Sequence, residues 1–281
     1  MIEPLIREDQ QLARGGAGTV YQINLEGKDV AVKVCDYKPQ EPVIYLQWKA
    51  ETKYLNELNH DNIIKMIHFG DDKDARKLFV VYELMTGTVA TQLQELNWGQ
   101  TIKVLKQTAA ALAFMHEQKP EALHNDIKPG NILLDKKFNV KLGDFGSATS
   151  IDKIPPTGTP GYTPTRSTLY RGNAHPKVDV YNFGVTSLQL LMKCDVVRYP
   201  QENTRRGKSA VRDDKHSEDP GHIVAIANRQ PGHVVDGKLL QTGCSEETAI
   251  EITDLIKKCC DIIPGKRPHM KDVLKMLEKL K

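Results

Sequence analysis

The chain has no apolar run long enough to span a bilayer, no internal repeat and no low-complexity tract. Its first nine residues are too acidic and too polar for a secretory signal. These absences predict an intracellular protein, placed in the cytoplasm with the nucleus also open to it. Cysteine is scarce: the five residues are an odd number, and they show neither a disulfide framework nor paired CxxC spacing. The adjacent Cys259 and Cys260 read as helix residues, not as metal ligands. An excess of one charge is missing too, since a net charge of +3 is spread over interspersed acids and bases. No nucleic-acid groove and no membrane surface is expected from such a balance. At 281 residues the chain can bury an ample core, as one large domain or two small ones.

What is present concentrates in residues 123–134, Leu-His-Asn-Asp-Ile-Lys-Pro-Gly-Asn-Ile-Leu-Leu. Asp126 offers a carboxylate that can take the proton of an incoming hydroxyl. Asn131, with four residues between, offers a side-chain oxygen for a metal ion, and Lys128 between them can neutralise a transferring phosphoryl group. Two strand-like runs follow, Ile132 to Leu134 and Val140 to Leu142, with a turn at Asp135 to Asn139. That hairpin delivers a second metal-binding carboxylate, Asp144 of Asp-Phe-Gly, to the same place. On these residues the chain resembles the eukaryotic protein kinases over nearly its whole length. The resemblance implies an α+β, bilobal fold in one kinase domain spanning 1–281. Its small β-rich N-lobe, with one key helix, would cover about 1–82 and its hinge about 83–88. A larger, mainly helical C-lobe would follow from about 89. It also implies ATP and Mg2+, with protein substrates that carry serine or threonine.

The N-terminal part reads as strand, glycine turn, strand. The first strand runs from Gln10 to Ala13; Arg14, Gly15, Gly16, Ala17 and Gly18 form the turn, and Val20 follows it. Glycine at 15 and 18 lets backbone approach phosphate oxygens that a Cβ would hold off. A turn of this kind is more often only a hairpin; it gains meaning because Ala31-Val32-Lys33 follows at the family's order. Lys33 is then the candidate for the α- and β-phosphates, with a solvated strand lysine as the plain alternative. Ile44, Trp48, Glu51, Leu55 and Leu58 recur at helical steps, so Glu51 interrupts an apolar face. A charge there is costly unless paired, which favours Glu51 as the partner of Lys33. The resemblance makes Glu83 to Gly87 the hinge that meets adenine, Tyr82 the bulky guard of the pocket's back, and Met85 and Leu133 part of its lining together with Val20 and Ala31.

Further on, helices are expected at about 100–118, 180–192, 222–228, 246–260 and 270–281. Asp179 would hold the catalytic-loop backbone. Residues 200–221 are polar and read as a surface insertion. Lys128 and Thr159 fit the serine/threonine pattern, and a lesser likeness to the Mos-like kinases lies in residues 177–183 and 222–225. Three departures stand out. Asn125 occupies the place of an arginine that reads activation-segment phosphate, so an active-as-made or partner-switched enzyme is expected. The Ala-Pro-Glu that ends the activation segment is missing, so Arg267 is expected to be solvated or to find another acid. Ala13 and Ala17 stand where the family prefers glycine and an aromatic. A pseudokinase-like scaffold that binds partners through the same fold is the alternative reading.

Overall fold

The computed structural model describes residues 7–16, 18–38, 40, 42–151, 158–163, 174–194 and 222–280. Five antiparallel strands form the N-terminal sheet: β1 (Gln11–Gly15), β2 (Gly18–Leu25), β3 (Lys28–Asp36), β4 (Met66–Asp72) and β5 (Lys77–Glu83), in the order β1-β2-β3-β5-β4. The period-2 alternation of β3 sorts its side chains. Val30 and Val32 pack with Ile23 and Val81 in a small cluster on one face. Ala31 joins Val80 and Tyr82 in the main core on the other, and Lys33 shares that face. Lys33 pairs with Val80 and Ala31 with Tyr82, so the register brings the lysine and the bulky tyrosine to neighbouring strands of one cleft.

Helix α1 (Val43–Glu57) crosses behind this sheet, and Glu51, Tyr54 and Leu55 are buried on its inner side. Trp48 donates from Nε1 to the Phe79 carbonyl at 3.1 Å and sets α1 against β5. After β6 (Gly87–Thr88) and the short α2 (Val89–Gln92), the chain becomes mainly helical: α3 (Trp98–His116), α4 (Pro176–Met192), α5 (Ile223–Arg229), α6 (Gly237–Gln241), α7 (Glu246–Cys259) and α8 (Met270–Lys279). Local chemistry explains where they start. Asn97 and Gln100 exchange capping hydrogen bonds at 2.9 Å ahead of α3. Ser245 caps α7, whose first turn holds Glu246 and Glu247 and whose last holds Lys257 and Lys258, as the helix dipole favours. Pro176 to Leu191 are all buried, and α3, α5 and α7 pack against α4.

Two small sheets carry the loops of the site. One is β6, β8 (Ile132–Leu134) and β9 (Val140–Leu142); the other is β7 (Ala122–Leu123) with β10 (Thr149–Ser150). The Asp135 carboxylate closes the β8–β9 turn, accepting from the backbone of Lys137 at 2.7 Å and of Asn139 at 2.8 Å. The sequence-predicted insertion at 200–221 lies outside the described residues, as does Ala17.

Candidate active site

β1 and β2 meet at Gly15 and Gly18 in a tight hairpin over the cleft. At Gly18, φ is +142°, and a Cβ would lie 2.4 Å from the Val34 carbonyl, so only glycine fits. Gly15 and Gly16 have open space where a Cβ would stand. Ala13 and Arg14 pair with Val20 and Thr19. Val20, Ala31, Met85 and Leu133 belong to one apolar cluster with Tyr82.

Below that loop, Lys33 Nζ lies 2.8 Å from Glu51 Oε2 and 2.9 Å from Asp144 Oδ1. Tyr82 donates its hydroxyl to the other Glu51 oxygen at 2.7 Å. Burial pulls the Lys33 ammonium down, yet Glu51 and Asp144 together hold it well above its ordinary range. Burial likewise pushes Asp144 up, and Lys33 more than reverses it. Both groups are thus charged at neutral pH. The expectation that Glu51 pairs with Lys33 holds, and the solvated-lysine alternative falls away.

The second half of the site is built on α4. Asp179, fully buried, accepts from the backbone of His124 at 2.9 Å and of Asn125 at 2.7 Å, and His116 Nε2 lies 2.9 Å away. Asn182 donates to the Asn125 carbonyl at 3.1 Å, and Thr186 to that of Ile127 at 3.2 Å. Residues 179, 182 and 186 share one helical face, and that shared spacing with Asp179 was the sequence signal for the last two. The Asp126 carboxylate gathers Lys128 Nζ at 2.7 Å, Asn131 Nδ2 at 3.1 Å, and the Thr159 backbone and hydroxyl at 3.0 and 2.6 Å. Lys128 Nζ also donates to Thr159 Oγ1 at 2.7 Å.

Among the described residues no group of three His, Cys, Asp or Glu side chains could hold a metal alone. Magnesium does not need one: it keeps waters and takes one or two protein oxygens plus phosphate oxygens. Asn131 spends its N–H donors on the Asp126 carbonyl, at 2.8 Å, and on the Asp126 carboxylate. Its carbonyl oxygen and the Asp144 carboxylate are hard oxygen donors of the kind magnesium accepts.

Arg267 is buried, not solvated, and among the described residues it makes no ion pair with an acid. It is 2% exposed, lies over the Tyr181 ring at 4.8 Å, and donates to the carbonyls of Asp261 at 2.7 Å and Lys177 at 2.8 Å. Lys177 returns a hydrogen bond to the Arg267 carbonyl at 2.5 Å. Two backbone carbonyls and an aromatic face stand in for the missing glutamate.

The cleft between a five-stranded sheet and a helical lobe, with lysine, glutamate and aspartate joined across it, defines a protein kinase. The protein kinase domain family matches residues 6–277, and the chain belongs to that family, as a serine/threonine-type member. It is 30% identical over 284 residues to the LysM domain receptor-like kinase 10 of Oryza sativa subsp. japonica, covering 95% of this chain and 44% of that protein. It is 30% identical over 302 residues to the Arabidopsis thaliana protein named Probable serine/threonine-protein kinase PBL2, covering 98% and 66%. With Probable serine/threonine-protein kinase PBL11 of the same plant it shares 29% over 307 residues, covering 98% and 73%. The chain therefore spans less than half of the rice relative and about two thirds to three quarters of the two from Arabidopsis. Beside these plant kinases the Mos-like features are a minor likeness. No helix among the described residues is long and apolar enough to cross a membrane.

Proposed function

We propose that this chain is one catalytic domain, hinged at about 83–88, that transfers the γ-phosphoryl group of Mg-ATP to serine or threonine hydroxyls of proteins. The observation that carries the reading is the Lys33 ammonium held within 2.9 Å of both Glu51 and Asp144. A lysine so fixed is placed to meet the α- and β-phosphates, and Glu51 orients it. Asp126 accepts the proton of the substrate hydroxyl as its oxygen attacks the γ-phosphorus and the bond to the β-phosphate oxygen breaks. Lys128, already beside Asp126, neutralises charge on the phosphoryl oxygens. Asn131 and Asp144 would hold the metal, which when bound would supply positive charge against the phosphate oxygens. Gly15, Gly16 and Gly18 cover the phosphates. Val20, Ala31, Tyr82, Met85 and Leu133 enclose adenine, and the backbone at Glu83 and Met85 meets its edge.

A cytoplasmic setting and control by a protein partner, not by activation-segment phosphate, complete the proposal. The scaffold alternative is not favoured, because no member of the proposed catalytic set is missing from the chain. Asp126→Asn and Asp144→Asn should each cut phosphorylation of a generic peptide by about 10²-fold or more while the protein stays folded. Near wild-type rates in either variant would refute these roles.

A further inference from the structure

We infer that Asn125 is a positioning residue for phosphoryl transfer, its amide fixing the base-bearing loop and the Asp144 turn to one another. The inference rests on the roles proposed above for Asp126 and Asp144. Asn125 is 1% exposed, and its main chain is held on both sides by α4, through Asp179 and Asn182. Its φ of +65° is left-handed, a conformation asparagine adopts more readily than other residues with a Cβ. With the backbone fixed, its Nδ2 donates to the Ser147 carbonyl at 3.0 Å.

Asn125 directly precedes Asp126. Ser147 ends the 3-10 turn Phe145–Ser147 that starts from Asp144, itself left-handed at φ +60°. One side chain thus runs from the neighbour of the base to the turn that aims the second carboxylate at Lys33. The Asn125 Oδ1 is buried and has no hydrogen-bond partner among the described residues. A buried acceptor left unmade is a cost, so what the side chain gains lies in its donor. The donor is neutral and its acceptor is backbone, so this junction is ordered without any phosphate.

Two variants separate the bond from the backbone. Asn125→Gly tolerates the left-handed φ and removes the amide; Asn125→Asp keeps size and φ but turns an acceptor toward the Ser147 carbonyl. Amide hydrogen exchange of the nucleotide-free protein should speed by about tenfold across 145–149 in both, with 98–116 unchanged. The same variants should lose about tenfold in kcat and need more Mg2+ for half-maximal rate, while KM for the peptide holds. Unchanged exchange at 145–149 overturns the junction itself. Faster exchange with wild-type kcat and Mg2+ dependence overturns the positioning role. Should Asn125→Asp not fold, Asn125→Gly carries both readouts. An error in the base or metal assignment would show separately, as activity surviving in Asp126→Asn or Asp144→Asn.

Discussion

Tyr82 performs two tasks with one side chain. Its ring backs the apolar cluster of the cleft, and its hydroxyl donates to Glu51 at 2.7 Å. Burial, and then the Glu51 carboxylate, push the phenol well above its ordinary value of 10, so it remains a donor at any pH the enzyme meets. Tyr82→Phe should therefore keep the wall but lose the bond, lowering kcat/KM for ATP by about tenfold, as expected for a hydrogen bond to a charged group. Tyr82→Gly should lose both, and accept ATP analogues with bulky groups on the purine amine that the wild type and Tyr82→Phe reject. Initial rates with ATP and with such an analogue test this; equal use of the analogue by all three would remove Tyr82 from the pocket. The bulk of Tyr82 was legible in the sequence; its bond was not, because the second oxygen of Glu51 becomes available only once Lys33 has taken the first. Arg267 shows the same limit. Residue types point to acids as partners, whereas the partners it found are the backbone carbonyls of Asp261 and Lys177, which no side-chain code announces.

Among the elements, long periodic stretches were read well and short or fully buried ones were not. The face of Ile44, Trp48, Glu51 and Leu55 became α1, and the hairpin turn at Asp135 to Asn139 stands as predicted. Helix α4 starts at Pro176, capped by His175, four residues before the expected start. A helix buried all round has no solvent-facing side whose period would mark where it begins. The turns α2 and α6, of four and five residues, are too short to show one. Helix α4 ends on Lys193, left-handed at φ +51°, whose Nζ donates to the carbonyls of Leu93 at 2.6 Å and Leu96 at 2.7 Å. Burial, helped by Lys238, pulls this ammonium down to about 8 from 10.5. Between those values the unfolded chain binds the proton and the folded chain does not. The contribution of Lys193 to stability is therefore largest above the unfolded value and falls as pH drops toward 8. Urea unfolding of wild type and Lys193→Met should show a difference in stability that moves in favour of the wild type from pH 8 to pH 10. A difference independent of pH would mean that Lys193 titrates normally.

At the scale of the whole molecule, the order of motifs made the two-lobed fold legible, because each motif has a fixed place in one folded chain. Control was less legible, since it depends on what touches the activation segment. Asn125 carries no charge and is walled in by Asp179, Asn182 and Ser147, so a phosphate has no cation to find there. Thr157 and Ser167, which the sequence offers as other phosphate acceptors of the segment, and Arg166, the cation it offers in place of the arginine missing at 125, lie outside the described residues. Thr159 is described, and its hydroxyl is already spent: it donates to Asp126 at 2.6 Å and accepts from Lys128 at 2.7 Å. A phosphate on that oxygen would bring about −2 of charge against the Asp126 carboxylate and compete for Lys128. It would oppose the chemistry instead of ordering the loop. Two outcomes follow. Phosphatase treatment of the purified protein should leave the initial rate on an exogenous peptide within about twofold, because ordering at Asn125 gains nothing from phosphate. Thr159→Glu should lose about 10²-fold in kcat, the scale of a displaced general base, with little change in thermal unfolding. A large loss on dephosphorylation, recovered by rephosphorylation within residues 147–167, would show that another cation reads the segment and that this enzyme waits for a phosphate after all.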